Sequence, residues 1–205
     1  MTQKEDYSRL TRFGAELFDL IAFMVFMFGI VLSVRFFVFS PYTVLGASMM
    51  PNFSDKDWII VEKLTQKLTT FERGDVVVFV PSGKSIPYIK RVIGLPGETV
   101  LVQDDNVYIC NKNTPPTLIK TSSNLYCEKL NESYLPAHTQ TIATCGMNEF
   151  PVVNGYFVMG DNRGRTTDSL CCFGIQCYQG ANYTVSNSDL IGKVWMRLFP
   201  QYTKF

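Results

Sequence analysis

Histidine is nearly absent from this chain of 205 residues, whose one histidine is His138. No motif places His138 near a serine, so a Ser-His-Asp hydrolase mechanism has little to work with. The formal net charge is only +1, which gives no indication of a nucleic acid partner or of a strongly acidic one. The six cysteines contain no paired CxxC motif and the one histidine is distant, which argues against a zinc site. We expect His138, which follows Pro136, to lie in a surface loop.

A long apolar run lies near the N-terminus. The fifteen residues of segment 20–34 carry no charge, and the run continues through Arg35 to Phe39, which gives twenty residues. That length spans about 30 Å of bilayer as a helix. A cleaved signal peptide is the competing interpretation. Against it stand the absence of a clean small-x-small site, since Leu45 lies two residues before Ala47, and the acidic residues that precede the run, Glu5, Asp6, Glu16 and Asp19.

The distribution of basic residues predicts the orientation of this anchor. Lys4, Arg9 and Arg12 precede the run, whereas the next basic residue after Arg35 is Lys56. The positive-inside rule therefore places the N-terminus in the cytoplasm and residues 40–205 outside. All six cysteines fall in that outside part, where disulfides are favoured. Six cysteines allow fifteen connectivities, and their spacing does not choose among them.

Beyond the anchor, Val, Ile, Tyr, Phe and Thr occur in short runs that Gly and Pro interrupt, a texture that favours β structure. We predict a mainly β fold after a single transmembrane helix. The expected organisation is a cytoplasmic tail at 1–19, an anchor at 20–39, one β domain formed by 40–98 with 154–205, and an inserted β subdomain at 99–153. In the insertion, segments 100–102 and 107–110 flank a turn and predict a hairpin. Residues 64–75 are expected to form a loop or hairpin, and residues 190–199 a final strand.

Two short segments carry potential chemistry. The sequence Gly46-Ala47-Ser48-Met49-Met50-Pro51 begins seven residues past the anchor, and Lys90 follows about forty residues later in an apolar strand. Strand alternation places Lys90 on one face with Tyr88 and Val92. A lysine among apolar neighbours is expected to lose its proton easily, which suits a general base that activates a serine.

Taken alone, Ser48 is interpreted as a turn serine and Lys90 as a solvated strand lysine. The order of several segments changes that interpretation. They are the anchor ending in Arg35-Phe36-Phe37, then 46–53, 73–79, 88–98 and 160–169, and a final Gly192-Lys193 with the strand that follows. Together they resemble the bacterial type I signal peptidases (leader peptidases), which are Ser-Lys dyad proteases, over about a third of the outside domain.

The resemblance implies roles for individual residues. Ser48 falls on the nucleophile and Lys90 on the general base, and Thr166 falls on a serine that hydrogen-bonds the lysine. The Ser48 N–H would bind the oxyanion, whereas Gly46 lacks the hydroxyl that many members carry at that position. The surroundings of the lysine would be Tyr88, Phe79 and Met49, and the surface that binds the substrate would include Tyr42, Val44, Met49, Val78 and Ile89. No cofactor and no metal are implied.

The segment after Gly160 is expected to be structural. We interpret Asp161, Arg163 and Asp168 as a turn with an ion-pair network, in which Arg91 is a plausible partner of the carboxylates. Asp168-Ser169 continues to Leu170 where the family usually has Arg, so the internal ion pair to Asp168 is missing or rewired. A cysteine-rich stretch then replaces a shorter connector, Cys171-Cys172-Phe173-Gly174-Ile175-Gln176-Cys177.

The possible pairings of the cysteines in this stretch can be reduced. Adjacent cysteines rarely bond to each other, because the peptide between them must be strained. We therefore expect one of Cys171 and Cys172 to pair with Cys177, and the other to pair into the inserted subdomain.

The function that the resemblance implies is a serine endopeptidase of the bacterial inner membrane, single-pass, with its catalytic domain on the outer face. Its partners would be the lipid bilayer, precursor proteins with signal peptides and, by association, the export machinery, with no nucleic acid. Cleavage would follow small residues at the first and third positions before the cut. Two alternatives remain open: a peptidase dedicated to pilin or secretion-system substrates, which the cysteine-rich stretch motivates, and a catalytically silent membrane-tethered binding module, against which Ser48 and Lys90 argue.

Overall fold

The computed structural model describes residues 2–112, 119–143, 145–174, 177, 180–199 and 203–204. The chain forms two compact units, Met1–Ser40 and Pro41–Phe205. The first unit consists mainly of helix α1, Thr2–Phe37, so the expected N-terminal tail is itself helical. Its segment Glu16–Arg35 is long and apolar enough to cross a membrane. The side chains of that segment are exposed.

The second unit is mainly β, as predicted. Its elements in chain order are β1 (Phe39–Thr43, whose last three residues belong to this unit), β2 (Trp58–Glu62), α2 (Thr65–Leu68), β3 (Val76–Phe79), β4 (Tyr88–Gly94), β5 (Thr99–Gln103), β6 (Asn106–Asn111), β7 (Tyr126–Lys129), β8 (Glu149–Pro151), β9 (Phe157–Met159), a 3-10 helix (Ser169–Gly174), β10 (Leu190–Phe199) and β11 (Thr203–Lys204). The predicted final strand coincides with β10. The stretch 64–75 contains the short helix α2, which was not expected, and continues as a loop with a turn at Arg73 and Gly74, as expected for a loop there.

Within the described residues the strands form two sheets. The larger has the order β1-β2-β10-β3-β4-β9, with β11 paired to β10, and the smaller has the order β7-β6-β5-β8. All pairings among β2 to β11 are antiparallel. The predicted hairpin is the β5–β6 pair. Its two turn residues, Asp104 and Asp105, have φ values of 49° and 62°, the left-handed geometry that matches the twist of a tight hairpin.

Strands β3 and β4 lie inside the larger sheet, and this position buries them. All four side chains of β3 are buried, and Val77 and Phe79 pair with Lys90 and Tyr88. The side chains alternate as expected: Tyr88 packs in one apolar cluster with Phe79, whereas Ile89 belongs to a different cluster. The fold therefore places Lys90 on the Tyr88 face of a strand covered on both sides.

The disulfides confirm the expectation for the cysteine-rich stretch. Cys172 pairs with Cys177, and Cys171 pairs with Cys145, which lies within segment 99–153. The third bond, Cys110–Cys127, joins β6 to β7. Ile175 and Gln176 of this stretch lie outside the described residues. His138 is exposed in a loop, with φ of 63°, as predicted.

Peptide mapping without reductant tests this connectivity. Protein isolated from the cell envelope should yield three cross-linked pairs, 110–127, 145–171 and 172–177, and each should separate on reduction. The reason is that all three bonds lie in the part of the chain expected outside the cytoplasm. Six free thiols, or a Cys171–Cys172 bond, would contradict the structure.

Candidate active site

Ser48 lies in a turn between β1 and β2 that the core holds in place. Met49 and Phe53 are buried at 1% and 0% exposure, so the residue after Ser48 anchors the turn. Met49 was expected to contact substrate. It packs instead with Phe53 in a buried apolar cluster, and it does not line the cleft described below. The turn opens with Gly46, whose φ of +88° favours glycine. The Gly46 N–H donates to Asp55 Oδ1 at 2.7 Å.

A second segment supports the Ser48 backbone from the other side. The Asn162 N–H donates to the Ser48 carbonyl at 3.0 Å, and Asn162 Nδ2 donates to the Ala47 carbonyl at 3.0 Å. Gly160 lies so close that a Cβ there would collide with the Ser48 carbonyl and the Thr166 side chain. Sequence reasoning missed Asn162. Its only signal was its place inside the 160–169 segment.

Lys90 points at Ser48 from the neighbouring strand β4. Its Nζ donates to Ser48 Oγ at 2.7 Å and to the Ile89 carbonyl at 2.9 Å. The residue is 3% exposed, and the Tyr88 ring lies 5.7 Å from Nζ. Among the described residues Lys90 forms no ion pair within 4 Å. Burial lowers the pKa of Lys90 to about 8, against the opposing charges of Asp168 and Asp161.

Arg91, the next residue, differs from Lys90 because it has a carboxylate partner. Its Nε and Nη2 donate to the two carboxylate oxygens of Asp161 at 2.8 and 2.6 Å. Its guanidinium also lies 4.1 Å from the centre of the Tyr134 ring. A guanidinium does not lose its proton in proteins, so burial requires a partner. The ion pair expected for Arg91 is therefore formed, whereas the adjacent Lys90 has a hydroxyl as its partner.

Asp168 and Arg163 complete the expected network in a rewired form. The Asp168 carboxylate is buried and accepts hydrogen bonds from the N–H groups of Gly160 and Leu170, at 2.8 and 3.0 Å. Burial raises the pKa of the Asp168 carboxyl. Arg163 instead pairs with Glu132 and donates to Thr141 at 2.5 Å, so it joins the site to segment 99–153.

The bond expected between Thr166 and Lys90 is not formed. The Thr166 hydroxyl is buried beside the Asp168 carboxylate and forms no hydrogen bond with Lys90. The physical reason is the direction of the Lys90 amine, which donates to Ser48 and to the Ile89 carbonyl. A role of Thr166 in orienting the lysine is therefore not supported by the contacts in this state.

A mainly apolar cleft of about 470 Å³ opens at Ser48 and Lys90. Four residues predicted to bind substrate line it, together with Tyr88 and Gly46: Tyr42, Val44, Val78 and Ile89. Phe79 lies instead behind Tyr88, with ring centres 6.2 Å apart, and does not reach the cleft. Residues that sequence reasoning missed are Leu45, Ile59, Ile86, Pro87, Arg165 and Thr167. They share no motif, since separate loops and strands bring them together.

One backbone donor is available beside Ser48 Oγ. Within the described part of the chain, the Ser48 N–H donates to no other group, whereas the Gly46 N–H is engaged by Asp55. The space that a Gly46 side chain would occupy is open. An oxyanion formed at this serine would therefore meet one free N–H, with room for a second donor.

The titration of Lys90 is directly measurable. With ¹³C-labelled lysine, NMR should show one side-chain signal that titrates near pH 8, because burial disfavours the ammonium form. Lys90→Met should remove that signal and no other. Contradiction would come from a spectrum in which the signal lost in Lys90→Met titrates above pH 10.

Comparison with known proteins gives the family. Residues 17–199 match the family described as signal peptidase, peptidase S26. A signal peptidase I of Bacillus licheniformis is 34% identical over 160 residues, covering 75% of this chain and 77% of that protein. Signal peptidase I S of Bacillus subtilis (strain 168) is 36% identical over 146 residues, covering 67% and 70%.

A solved signal peptidase I from Enterococcus faecalis has 26% identity and a TM-score of 0.34, covering 61% of this chain and 97% of that one. The match of residues 17–199 spans most of the chain, and the two Bacillus relatives exceed 30% identity over two thirds of it. The chain therefore belongs to the signal peptidase family, the serine peptidases that remove signal peptides from precursor proteins.

Proposed function

We propose that this chain is a membrane-anchored Ser-Lys endopeptidase in which Ser48 is the nucleophile and Lys90 the general base. One observation carries the proposal: Lys90 Nζ lies 2.7 Å from Ser48 Oγ and is buried at 3% exposure. That distance allows direct proton transfer, and burial supplies the neutral amine that the transfer needs. With a pKa near 8, about one lysine in ten is neutral at pH 7.

Acylation follows from this arrangement. Neutral Lys90 takes the Ser48 proton while Oγ attacks the scissile carbonyl carbon. The Ser48 N–H stabilises the oxyanion of the tetrahedral intermediate. As the intermediate collapses, the Lys90 ammonium returns its proton to the leaving amine. The products of this half-reaction are the mature protein with a free N-terminus and an ester between Ser48 and the signal peptide.

Deacylation uses the same base. Lys90, neutral again, takes a proton from a water molecule that attacks the ester carbonyl. Collapse of the second tetrahedral intermediate breaks the bond to Ser48 Oγ, which recovers its proton from Lys90. The signal peptide leaves with a free carboxylate. No other side chain needs to exchange protons in either half-reaction. The proposed mechanism therefore needs no histidine.

The cleft fits small apolar side chains in an extended peptide. Its apolar walls are Val44, Val78 and Ile89, and the segment 42–44 runs along it. An extended substrate beside that segment can pair through its main chain while alternate side chains enter the cleft. These features support cleavage after small residues at the first and third positions before the cut.

The N-terminal helix supports anchoring in the bacterial cytoplasmic membrane. Its segment Glu16–Arg35 has the length of one crossing. The excess of Lys and Arg before it favours a cytoplasmic N-terminus, so we expect residues 40–205 on the outer face beside emerging precursors. Three disulfides in that part fit an oxidising compartment. Association with the export machinery stays a prediction.

A peptidase dedicated to pilin or secretion-system substrates is the second candidate. The observation that favours it is the disulfide-bonded stretch after Ser169, where a Cβ on Gly174 would lie 3.2 Å from the side chain of Thr167, which lines the cleft. Complementation of a strain depleted of its general signal peptidase separates the two, since a dedicated enzyme should not restore growth. The close contact of Ser48 and Lys90 argues against a catalytically silent binding module.

Substitution of the dyad tests the proposal. With full-length protein in detergent and an Ala-x-Ala precursor, Ser48→Ala and Lys90→Ala should each lower kcat/KM by at least about 10³-fold, and the double variant should lose no more, because the two act as a unit. Lys90→Arg should also be inactive, since it supplies no neutral base. Exposed Ser82→Ala and Lys129→Ala are matched controls. Retention of the wild-type rate by either single dyad variant would refute the mechanism.

Gly46 offers a test of the oxyanion site. Gly46→Ala and Gly46→Ser share the same backbone strain, because φ is +88°, and both side chains enter open space. Their difference therefore isolates the hydroxyl. We expect the Ser variant to exceed the Ala variant in kcat by roughly 10- to 100-fold, since one backbone donor is free and a second is missing. Equal rates in the two variants would show that the hydroxyl does not reach the oxyanion.

A further inference from the structure

The stretch after Ser169 contains two consecutive residues in the left-handed region, Cys172 with φ of 46° and Phe173 with φ of 56°. Residues other than glycine avoid this conformation unless their surroundings enforce it. Here the surroundings do so. Disulfides fix Cys171 to Cys145 and Cys172 to Cys177, and the Phe173 N–H donates to the Asp168 carbonyl at 2.8 Å.

This backbone sends neighbouring side chains into different parts of the core. Cys172 packs in the cluster that contains Met159 and Leu170, whereas Phe173 packs in the cluster that contains Phe79. Phe173 is buried, and its ring centre lies 5.7 Å from that of Phe79. The disulfide-bonded turn therefore packs the Phe173 ring against Phe79 of the larger sheet.

The rings form a continuous path to the lysine. Phe173 contacts Phe79, the centre of Phe79 lies 6.2 Å from that of Tyr88, and the Tyr88 ring lies 5.7 Å from Lys90 Nζ. Tyr88 is only half-buried and lines the cleft, so its position depends on the rings behind it. The turn also lies against the cleft wall, because a Cβ on Gly174 would touch the Thr167 side chain at 3.2 Å.

We propose that Phe173 is a positioning residue for Lys90: held against Phe79 by the Cys172–Cys177 disulfide, it fixes the aromatic wall that keeps water from the amine. This inference rests on the proposed function, in which neutral Lys90 is the base. A looser wall admits water, stabilises the ammonium and reduces the neutral fraction.

Other charges around the amine bear on its titration. Strands β3 and β9, on either side of β4, present only apolar residues, Val76–Phe79 and Phe157–Met159. The ionisable groups that face or adjoin the site are Tyr42 of β1, Tyr88 and Arg91 of β4, and Asp161, Arg163, Arg165 and Asp168 of segment 160–168. A substitution at Phe173 replaces none of these groups. A shift in the pKa of Lys90 therefore reports on the aromatic wall formed by Phe173, Phe79 and Tyr88.

The test is the pH dependence of kcat/KM for full-length Phe173→Leu in detergent. Because activity requires neutral Lys90, activity rises with pH through the lysine pKa. We expect the midpoint of that rise to move up by about half to one unit, which means a loss of roughly 3- to 10-fold at pH 7 that disappears at high pH. Phe150→Leu is the matched control, since Phe150 is a fully buried ring in the cluster that contains Met159 and Leu170. It should leave the midpoint unchanged.

A second pair of variants tests the disulfide. Cys172→Ser/Cys177→Ser should move the midpoint in the same direction as Phe173→Leu, and combining the two should add little, because both act through one ring. Cys110→Ser/Cys127→Ser removes a disulfide between β6 and β7 and should not move it. An unchanged midpoint in Phe173→Leu, or an equal shift in Phe150→Leu, overturns this inference. A flat profile in the unmodified protein, or activity of Ser48→Ala, overturns the proposed function instead.

Discussion

The structure depends on the burial of two adjacent basic side chains in a central strand. Lys90 and Arg91 lie on opposite faces of β4, which pairs with β3 on one side and β9 on the other. The charge of Arg91 is neutralised by Asp161, whose carboxylate accepts two hydrogen bonds from the guanidinium. Lys90 has a serine hydroxyl as its partner instead of a carboxylate, so burial favours its neutral form. One strand thus holds an arginine in an ion pair beside a lysine whose neutral form is favoured by burial.

Segment 160–168 makes this difference possible. It places Asp161 on Arg91 and, through Asn162, fixes the backbone of Ser48. Asp168 is nearby, yet its carboxylate accepts two backbone N–H groups and does not approach Lys90 as a direct partner. The disulfide-bonded turn that follows, together with Arg163 and Glu132, ties this segment to residues 99–153. Covalent and ionic links therefore join the segment that supports the site to the loops at Glu132 and Cys145.

Local patterns predicted much of the fold, because alternation and turn chemistry act over a few residues. The hairpin of β5 and β6, the bounds of β10 and the face shared by Lys90 and Tyr88 all followed from such patterns. The misses have a common cause in tertiary packing. Met49 was expected to contact substrate but its side chain fills the core, and the Lys90 amine donates to Ser48 and to the Ile89 carbonyl instead of forming the expected bond with Thr166. Arg165 and Thr167 reach the cleft from segment 160–169, and their place in that segment was their only signal.

The claim that a buried neutral lysine is the base is tested most directly by the pH dependence of kcat/KM for the unmodified, full-length protein. Cleavage of an Ala-x-Ala precursor in detergent would be followed from about pH 5 to pH 10. The account predicts a tenfold rise per unit at low pH with a single midpoint near 8, set by the burial of Lys90. A midpoint near 6.5, the ordinary pKa of histidine, or a rate independent of pH would contradict it.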